Sequence, residues 1–236
     1  MAPTSKPVLL LLPGLMCDDA IWRGQIQALS GAWDIRVPDF SALDSIEAMA
    51  EAALALASGP VAVAGHSMGG RVAMQMAAIA PERVARVCLM DTGAHPVAEG
   101  EAAKRRPLLD IADHEGMEGV VRAWLPPMMW PPRLTDAALM DDMTAMVLRS
   151  SVATLKGQTR ALLARSDGFE QLRQIRCPTA FVAGRQDVWS PPEQHVEMQA
   201  LVGGSTLTVI EDCGHMAPAE RPEAVTQALL QWLTRA

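Results

Sequence analysis

Short apolar segments alternate with amphipathic ones along most of the chain. Strands that helices cover on both faces read as continuous apolar runs of about four to eight residues. Six segments fit this description: residues 8–12, 34–37, 61–65, 84–90, 180–183 and 207–210. Helices are predicted between them, at residues 20–29, 45–57, 69–80, 192–201 and 221–234. This alternation predicts an α/β fold, with a mostly parallel sheet of about six strands flanked by helices.

The alternation stops between residues 94 and 166, where no strand is predicted. This segment contains helical stretches around a proline-rich kink at residues 125–132. A long excursion inside an α/β sheet is usually an inserted helical subdomain rather than a loop without structure. We therefore expect a core of residues 1–93 and 167–236, and a helical cap of residues 94–166 over the carboxyl ends of the strands, where open α/β sheets bind ligands.

Composition and charge restrict the partners of the protein. The 236 residues are 50% hydrophobic and carry a formal net charge of −7, which suits one globular domain. A nucleic-acid partner is not expected, because phosphate binding needs clustered Lys and Arg, and the short cluster at residues 104–106 is interpreted as a solvated helix face. A membrane span is not expected either, because the run at residues 8–12 is too short and is interpreted as a buried strand.

The four cysteines form no CxxC pair, so reduced thiols in a cytoplasmic protein are expected. Cys17 and Cys213 lie near the predicted site loops, which leaves a redox role open. No metal-ligand spacing is found, and neither a metal nor an organic cofactor is expected. The sequence does not indicate an oligomeric state.

The strongest chemical pattern is V-A-V-A-G-H-S-M-G-G at residues 61–70. It places the sequence G-x-S-x-G between an apolar strand and a helix. A serine at such a turn has a strained backbone and an exposed hydroxyl, and the amino end of the helix favours negative charge. The five-residue pattern also fits an ordinary strand-to-helix turn, but the flanking strand and helix favour Ser67 as a nucleophile.

A serine hydroxyl needs a base, and the base needs an orienting acid. His215 follows the last predicted strand and is therefore expected at the same sheet edge as Ser67. His66 adjoins the serine, but neighbouring side chains diverge at such a turn, so packing or hydrogen bonding is its expected role. Asp187 follows the penultimate strand and is the favoured acid, with Asp91, after the fourth strand, as the alternative.

These residues resemble the α/β-hydrolase superfamily in their chain order and local patterns, over nearly the whole chain outside the predicted cap. Residues 65–70 resemble its nucleophile elbow, residues 184–187 its acid turn, and residues 214–215 with 220–222 its histidine loop and final helix. The resemblance implies a serine hydrolase of the esterase or lipase type, with a catalytic triad of Ser67, Asp187 and His215.

The resemblance also implies an oxyanion hole formed by the N–H groups of Leu15 and Met68, with help from Met16 N–H. Two departures from the family pattern are visible. The chain starts at what is usually the third strand, and the loop after this strand, which usually reads His-Gly, has Pro13 before Gly14. The second departure affects the expected shape of the loop, but not its role.

We expect hydrolysis of small to medium hydrophobic carboxylic esters through an acyl-enzyme, because the cap is rich in methionine and tryptophan. The residues expected to bind substrate are Met128, Met129, Trp130, Trp189 and Met216. Three other cap methionines at residues 140, 143 and 146 share one helical face, so packing onto the core explains them equally well. The alternatives are a same-fold acyltransferase, lactonase, C–C hydrolase or hydroxynitrile lyase, and a non-catalytic receptor for a small ligand.

Overall fold

Six parallel strands form one sheet in the computed structural model, which describes residues 6–235. The strands are β1 (Val8–Leu12), β2 (Asp34–Arg36), β3 (Val61–His66), β4 (Val84–Met90), β5 (Thr179–Gly184) and β6 (Thr206–Ile210). Their spatial order is β2-β1-β3-β4-β5-β6, and every neighbouring pair is parallel. Each predicted strand is present to within one residue at either end, which confirms the predicted α/β sheet.

Helices flank this sheet, and all of them except the short helix at residues 217–220 lie close to the predicted positions. They are α1 (Arg23–Leu29), α2 (Ile46–Ala55), α3 (Met68–Ile79), α8 (Pro192–Gln199), α9 (Ala217–Glu220) and α10 (Pro222–Thr234). The segment predicted as one helix at residues 20–29 divides into a 3-10 turn, Asp19–Trp22, and α1. The Asp18 side chain caps the turn by accepting from Ala20 N at 2.9 Å.

Between β4 and β5 the regular elements are all helical, namely α4 (Glu101–Met128), a 3-10 helix (Pro131–Thr135), α5 (Ala137–Arg149), α6 (Val152–Leu163) and α7 (Gly168–Leu172). The helical axis breaks at Gly116, where φ is 66° and ψ is −163°, a conformation that is essentially restricted to glycine. The predicted break at the proline-rich residues 125–132 is also present, because α4 ends at Met128 and the backbone of Met129 and Trp130 is extended before the 3-10 helix begins at Pro131. The division into core and cap stays a prediction, and residues 1–5 and 236 of the predicted core lie outside the described residues.

Hydrophobic clusters cover both faces of the sheet, because side chains alternate along each strand. Leu9 and Leu11 of β1 belong to one cluster, together with α10 and residues of α4 and α5. Leu10 and Leu12 belong to the other cluster, together with α2 and α3. None of the helices within residues 6–235 is both long and apolar enough to cross a membrane.

Candidate active site

Ser67 lies at the sharp turn from β3 into α3, with φ of 54° and ψ of −116°. Its N–H donates to Met90 O at 2.9 Å, and Thr92 Oγ1 donates to its carbonyl oxygen at 2.7 Å. The turn leaves no room for a side chain at Gly65, where a Cβ would collide with the carbonyl oxygen of Gly69. The two hydrogen bonds hold Ser67 in a strained backbone conformation, and the missing side chain at Gly65 leaves the space that the turn needs.

The structure brings His215 and Asp187 to Ser67 at the carboxyl edge of the sheet. Ser67 Oγ lies 2.9 Å from His215 Nε2, and His215 Nδ1 lies 2.8 Å from Asp187 Oδ2. Because a carboxylate only accepts, His215 Nδ1 carries the proton and leaves Nε2 free to accept from the serine hydroxyl. The three predicted side chains therefore form one continuous series of hydrogen bonds.

Asp187 is buried, with 2% of its surface exposed, and its second carboxylate oxygen is also occupied. Oδ1 accepts from Trp189 N at 2.8 Å and from Ser190 N at 3.1 Å. Burial raises the pKa of Asp187, but its interactions with His215 and the hydrogen bonds from the two backbone amides outweigh burial, so the pKa lies below its ordinary value. An ionised Asp187 can fix the tautomer of His215 and stabilise its protonated form.

Asp91, the alternative acid, is buried at the end of β4 and does not bond to His215. Its Oδ1 accepts from Gly184 N at 2.8 Å, while Oδ2 has no hydrogen-bond partner within residues 6–235. Burial and the negative charge of Asp187 raise the pKa of Asp91 well above its ordinary value. The geometry therefore favours Asp187 as the partner of His215, whereas Asp91 is the acceptor of Gly184 N.

The main chain of His215 is fixed from two directions. His215 N donates to Met128 O at 2.8 Å, and His66 Nε2 donates to His215 O at 2.7 Å. Burial and the neighbouring His215 lower the pKa of His66 to about 3, so this imidazole stays neutral. Since its Nε2 proton is committed to a carbonyl oxygen, His66 acts through hydrogen bonding, in line with the sequence-based expectation.

Glu220 connects the loop of His215 to the end of α4. Its Oε1 accepts from Gly214 N and Met216 N, both at 3.1 Å, and its Oε2 accepts from Trp130 N at 2.9 Å. Only 1% of Glu220 is exposed, and this burial raises its pKa although the three amides oppose the shift. One carboxyl group thus holds the residues on both sides of His215.

The loop after β1 lies against the nucleophile, since a Cβ at Gly14 would be only 3.2 Å from Ser67 Cβ. Leu15 N donates to no other residue within residues 6–235. Met68 N opens α3, where backbone N–H groups have no intrahelical acceptor. The two amides assigned to the oxyanion hole are thus free to donate to a ligand, and their role stays a prediction.

Met16 N cannot assist them, and this part of the expectation was wrong. Its N–H donates to Gln158 Oε1 at 2.8 Å, so it is already occupied by a side chain of α6. The sequence contains no signal for this contact, because the two residues are 142 positions apart.

The five residues expected to bind substrate lie around the histidine loop in different environments. Met128, Met129 and Met216 are buried, Trp130 is partly buried, and Trp189 is 54% exposed. The backbone of residues 128–130 packs against the backbone of Gly214, and Trp189 Nε1 donates to Pro127 O at 3.2 Å. Contact of these residues with substrate stays a prediction.

Two of the four cysteines were expected near the loops of the site. Cys17 and Cys213 are free, and burial raises the pKa of both thiols, that of Cys17 to about 12. The reactive thiolate is thus disfavoured at both positions. Within the described residues, no three His, Cys, Asp or Glu side chains are grouped so as to hold a metal ion.

Three supporting residues had no role predicted from the sequence: Thr92, Gln158 and Glu220. Glu220 belongs to the family pattern at residues 220–222, but the pattern does not reveal which amides its carboxylate would accept from. Thr92 and Gln158 have no local signal, since each acts on a residue distant in the sequence.

Comparison with known proteins shows the family of the chain. The model of the alpha/beta hydrolase family matches residues 9–228. The chain belongs to this family. A pimeloyl-[acyl-carrier protein] methyl ester esterase of Nitrosomonas europaea is 27% identical over 234 residues, covering 92% of this chain and 92% of that protein. This alpha/beta hydrolase therefore has a full-length relative that is named as an ester hydrolase.

Two further similarities extend the comparison. A 2-hydroxy-6-oxononadienedioate/2-hydroxy-6-oxononatrienedioate hydrolase of Klebsiella pneumoniae is 28% identical, over 73% of this chain and 62% of that protein. The solved structure of a thermophilic esterase from Thermogutta terrifontis is 27% identical and superimposes with a TM-score of 0.88, covering 98% of this chain and 90% of that one. These similarities place the alpha/beta hydrolase among hydrolases that are named for different substrates.

Proposed function

We propose that this alpha/beta hydrolase cleaves carboxylic esters, with Ser67 as nucleophile, His215 as general base and Asp187 as the acid that orients the base. The observation that carries the proposal is the uninterrupted hydrogen bonding from Ser67 Oγ through His215 to Asp187, at 2.9 and 2.8 Å. A hydroxyl with this partner can lose its proton as it attacks a carbonyl carbon.

The first half of the reaction forms an acyl-enzyme. His215 Nε2 takes the proton of Ser67 as Oγ bonds to the ester carbonyl carbon, and the carbonyl oxygen becomes an oxyanion. The N–H groups of Leu15 and Met68 donate to this oxyanion, and the amino end of α3 favours its charge. His215 then gives the proton to the alkoxide oxygen as the C–O bond breaks, and the alcohol leaves.

The second half restores the free enzyme. His215 takes a proton from water as the water oxygen attacks the acyl carbon, and the oxyanion forms again in the same position. The bond to Ser67 Oγ then breaks, the proton returns from His215 to Oγ, and the carboxylic acid leaves. Asp187 stays ionised throughout and stabilises the transient imidazolium.

Small to medium hydrophobic esters are the proposed substrates. The segment that packs on the histidine loop carries Met128 and Met129, and Met216 follows His215 directly. Methionine side chains are flexible and adapt to varied apolar groups. Tolerance for different acyl or alcohol groups is therefore expected.

The first test is Ser67→Ala, assayed on aryl esters of increasing acyl length. Loss of the attacking oxygen is expected to lower kcat by at least about 10³-fold while the far-UV circular dichroism stays unchanged. A serine-directed phosphonate should label the wild-type protein and leave the variant unlabelled. Ester turnover by the variant at a rate near wild type would remove Ser67 from the mechanism.

Hydrolysis of a hydroxy-oxo-dienedioate is the second candidate, since a relative at 28% identity is named for this type of substrate. The triad proposed for ester hydrolysis would also catalyse this reaction, so the preferred substrate distinguishes the two candidate functions. A higher kcat/KM on this compound than on every ester in the panel would favour the second candidate.

A further inference from the structure

We infer that Gln158 is a positioning residue, which holds the loop after β1 so that Leu15 N–H points at the developing oxyanion. The inference rests on the proposed ester hydrolysis. Gln158 belongs to α6, in the helical segment between β4 and β5, and only 2% of its surface is exposed. It therefore connects the inserted helices to the oxyanion loop.

The contact depends on both ends of the amide group. Gln158 Oε1 accepts from Met16 N at 2.8 Å, and Nε2 donates to Phe40 O at 3.4 Å. One neighbour is a donor and the other an acceptor, so the orientation of the amide is determined by its surroundings. An apolar side chain of the same length would fill the space but would leave Met16 N without its acceptor.

Two planar peptide groups explain how this contact reaches Leu15 N. The peptide plane of residues 14 and 15 contains Leu15 N–H, and its oxygen, Gly14 O, accepts from Cys17 N at 3.1 Å. The next plane contains Met16 N–H, which Gln158 holds. With both planes fixed, the direction of Leu15 N–H is fixed as well.

Met16 needs such support because its φ is 57°, a left-handed conformation that is uncommon for a residue with a long side chain. Without an acceptor for its N–H, the loop is expected to relax toward commoner backbone angles and to turn Leu15 N–H away. The helix that carries Gln158 is itself packed on the sheet, since Leu155 and Ala161 of α6 belong to the hydrophobic clusters on its two faces.

The test compares Gln158→Met with Gln75→Met. Gln75 is also a buried glutamine with a side-chain partner, Gln171, but its partner lies on α7 and not on the oxyanion loop. Loss of a well-placed oxyanion donor lowers rates by about 10²–10³-fold, and a misdirected donor costs less. We expect Gln158→Met to lower kcat about 10- to 100-fold with KM changed less than about two-fold, and Gln75→Met to retain wild-type kinetics.

Amide hydrogen exchange gives a readout that does not depend on turnover. Exchange of the Met16 amide should accelerate in Gln158→Met and stay slow in Gln75→Met, with unchanged exchange in the strands of both. The inference is overturned if Gln158→Met keeps kcat within about two-fold of wild type, or if both variants lose activity equally.

Failure of the ester proposal is distinguishable from failure of this inference. If the wild-type protein hydrolyses no ester, the rate of phosphonate labelling at Ser67 replaces kcat, since the phosphoryl oxygen occupies the position of the oxyanion. Slower labelling of Gln158→Met together with faster Met16 exchange would support the positioning role. Equal labelling rates, or unchanged exchange, would overturn it.

Discussion

Strained backbone is concentrated at residues that carry or support the proposed chemistry. Within residues 6–235, four residues other than glycine have positive φ: Met16, Ser67, Asp91 and Asp212. They follow β1, β3, β4 and β6 respectively, so all four lie at the carboxyl edge of the sheet. Such strain persists only where the surrounding contacts enforce it, as Gln158 does for Met16 and Thr92 for the Ser67 turn.

The two buried aspartates at this edge should differ sharply in their effect on turnover. Asp187→Asn replaces the acceptor of His215 Nδ1–H by an amide that favours the wrong tautomer, and kcat should fall by about 10³–10⁴-fold. Asp91→Asn keeps an acceptor for Gly184 N, and Asn tolerates positive φ. Its kcat should stay within about ten-fold of wild type.

Steady-state kinetics on one aryl ester measure both variants, and each serves as the control for the other. A larger loss of kcat in Asp91→Asn than in Asp187→Asn would transfer the orienting role to position 91.

The loop between β6 and α9 depends on Glu220 for its shape. Glu220→Gln replaces one acceptor oxygen by an NH₂ group, which would then face a backbone N–H of Gly214, Met216 or Trp130. Leaving one buried donor unsatisfied should lower the free energy of unfolding by about 1–3 kcal/mol. Because these amides flank His215, kcat should fall as well.

Urea denaturation and ester kinetics test this expectation. Glu223→Gln is the matched control, since Glu223 is exposed in the first turn of α10 and should change the free energy of unfolding by less than about 0.5 kcal/mol. Equal stability and kcat in Glu220→Gln and wild type would contradict the role of Glu220 in holding the loop.

Elements with a local signal were predictable from the sequence, and contacts between distant residues were not. The strands were found because apolar runs such as Val61–His66 are buried on both faces. Ser67, Asp187 and His215 were predicted to meet because each lies in the segment that follows a strand. The break at Gly116 was missed because a single glycine within a helical pattern is usually tolerated, and Gln158 was missed because a buried glutamine resembles any polar helix residue.

At the scale of the molecule, the inserted helices and the sheet share one hydrophobic cluster. This cluster contains Leu9 and Leu11 of β1 together with Val120 of α4 and Met146 of α5. The methionines at residues 143 and 146 are buried within it, which favours the packing interpretation of these residues. Helices that share a core with the sheet are expected to unfold with it in one transition.

Met146→Ala tests this coupling. The side chain is 1% exposed, so its truncation leaves a cavity and should lower the free energy of unfolding by about 2–5 kcal/mol. Leu148→Ala on the same helix is the control, since Leu148 is 41% exposed and should cost less than about 1 kcal/mol. In urea denaturation of Met146→Ala, circular dichroism and tryptophan fluorescence should report the same lowered midpoint of unfolding, because the sheet and the inserted helices share this core. Separate midpoints, with only part of the circular dichroism signal shifted by Met146→Ala, would instead show that the inserted helices unfold independently of the sheet.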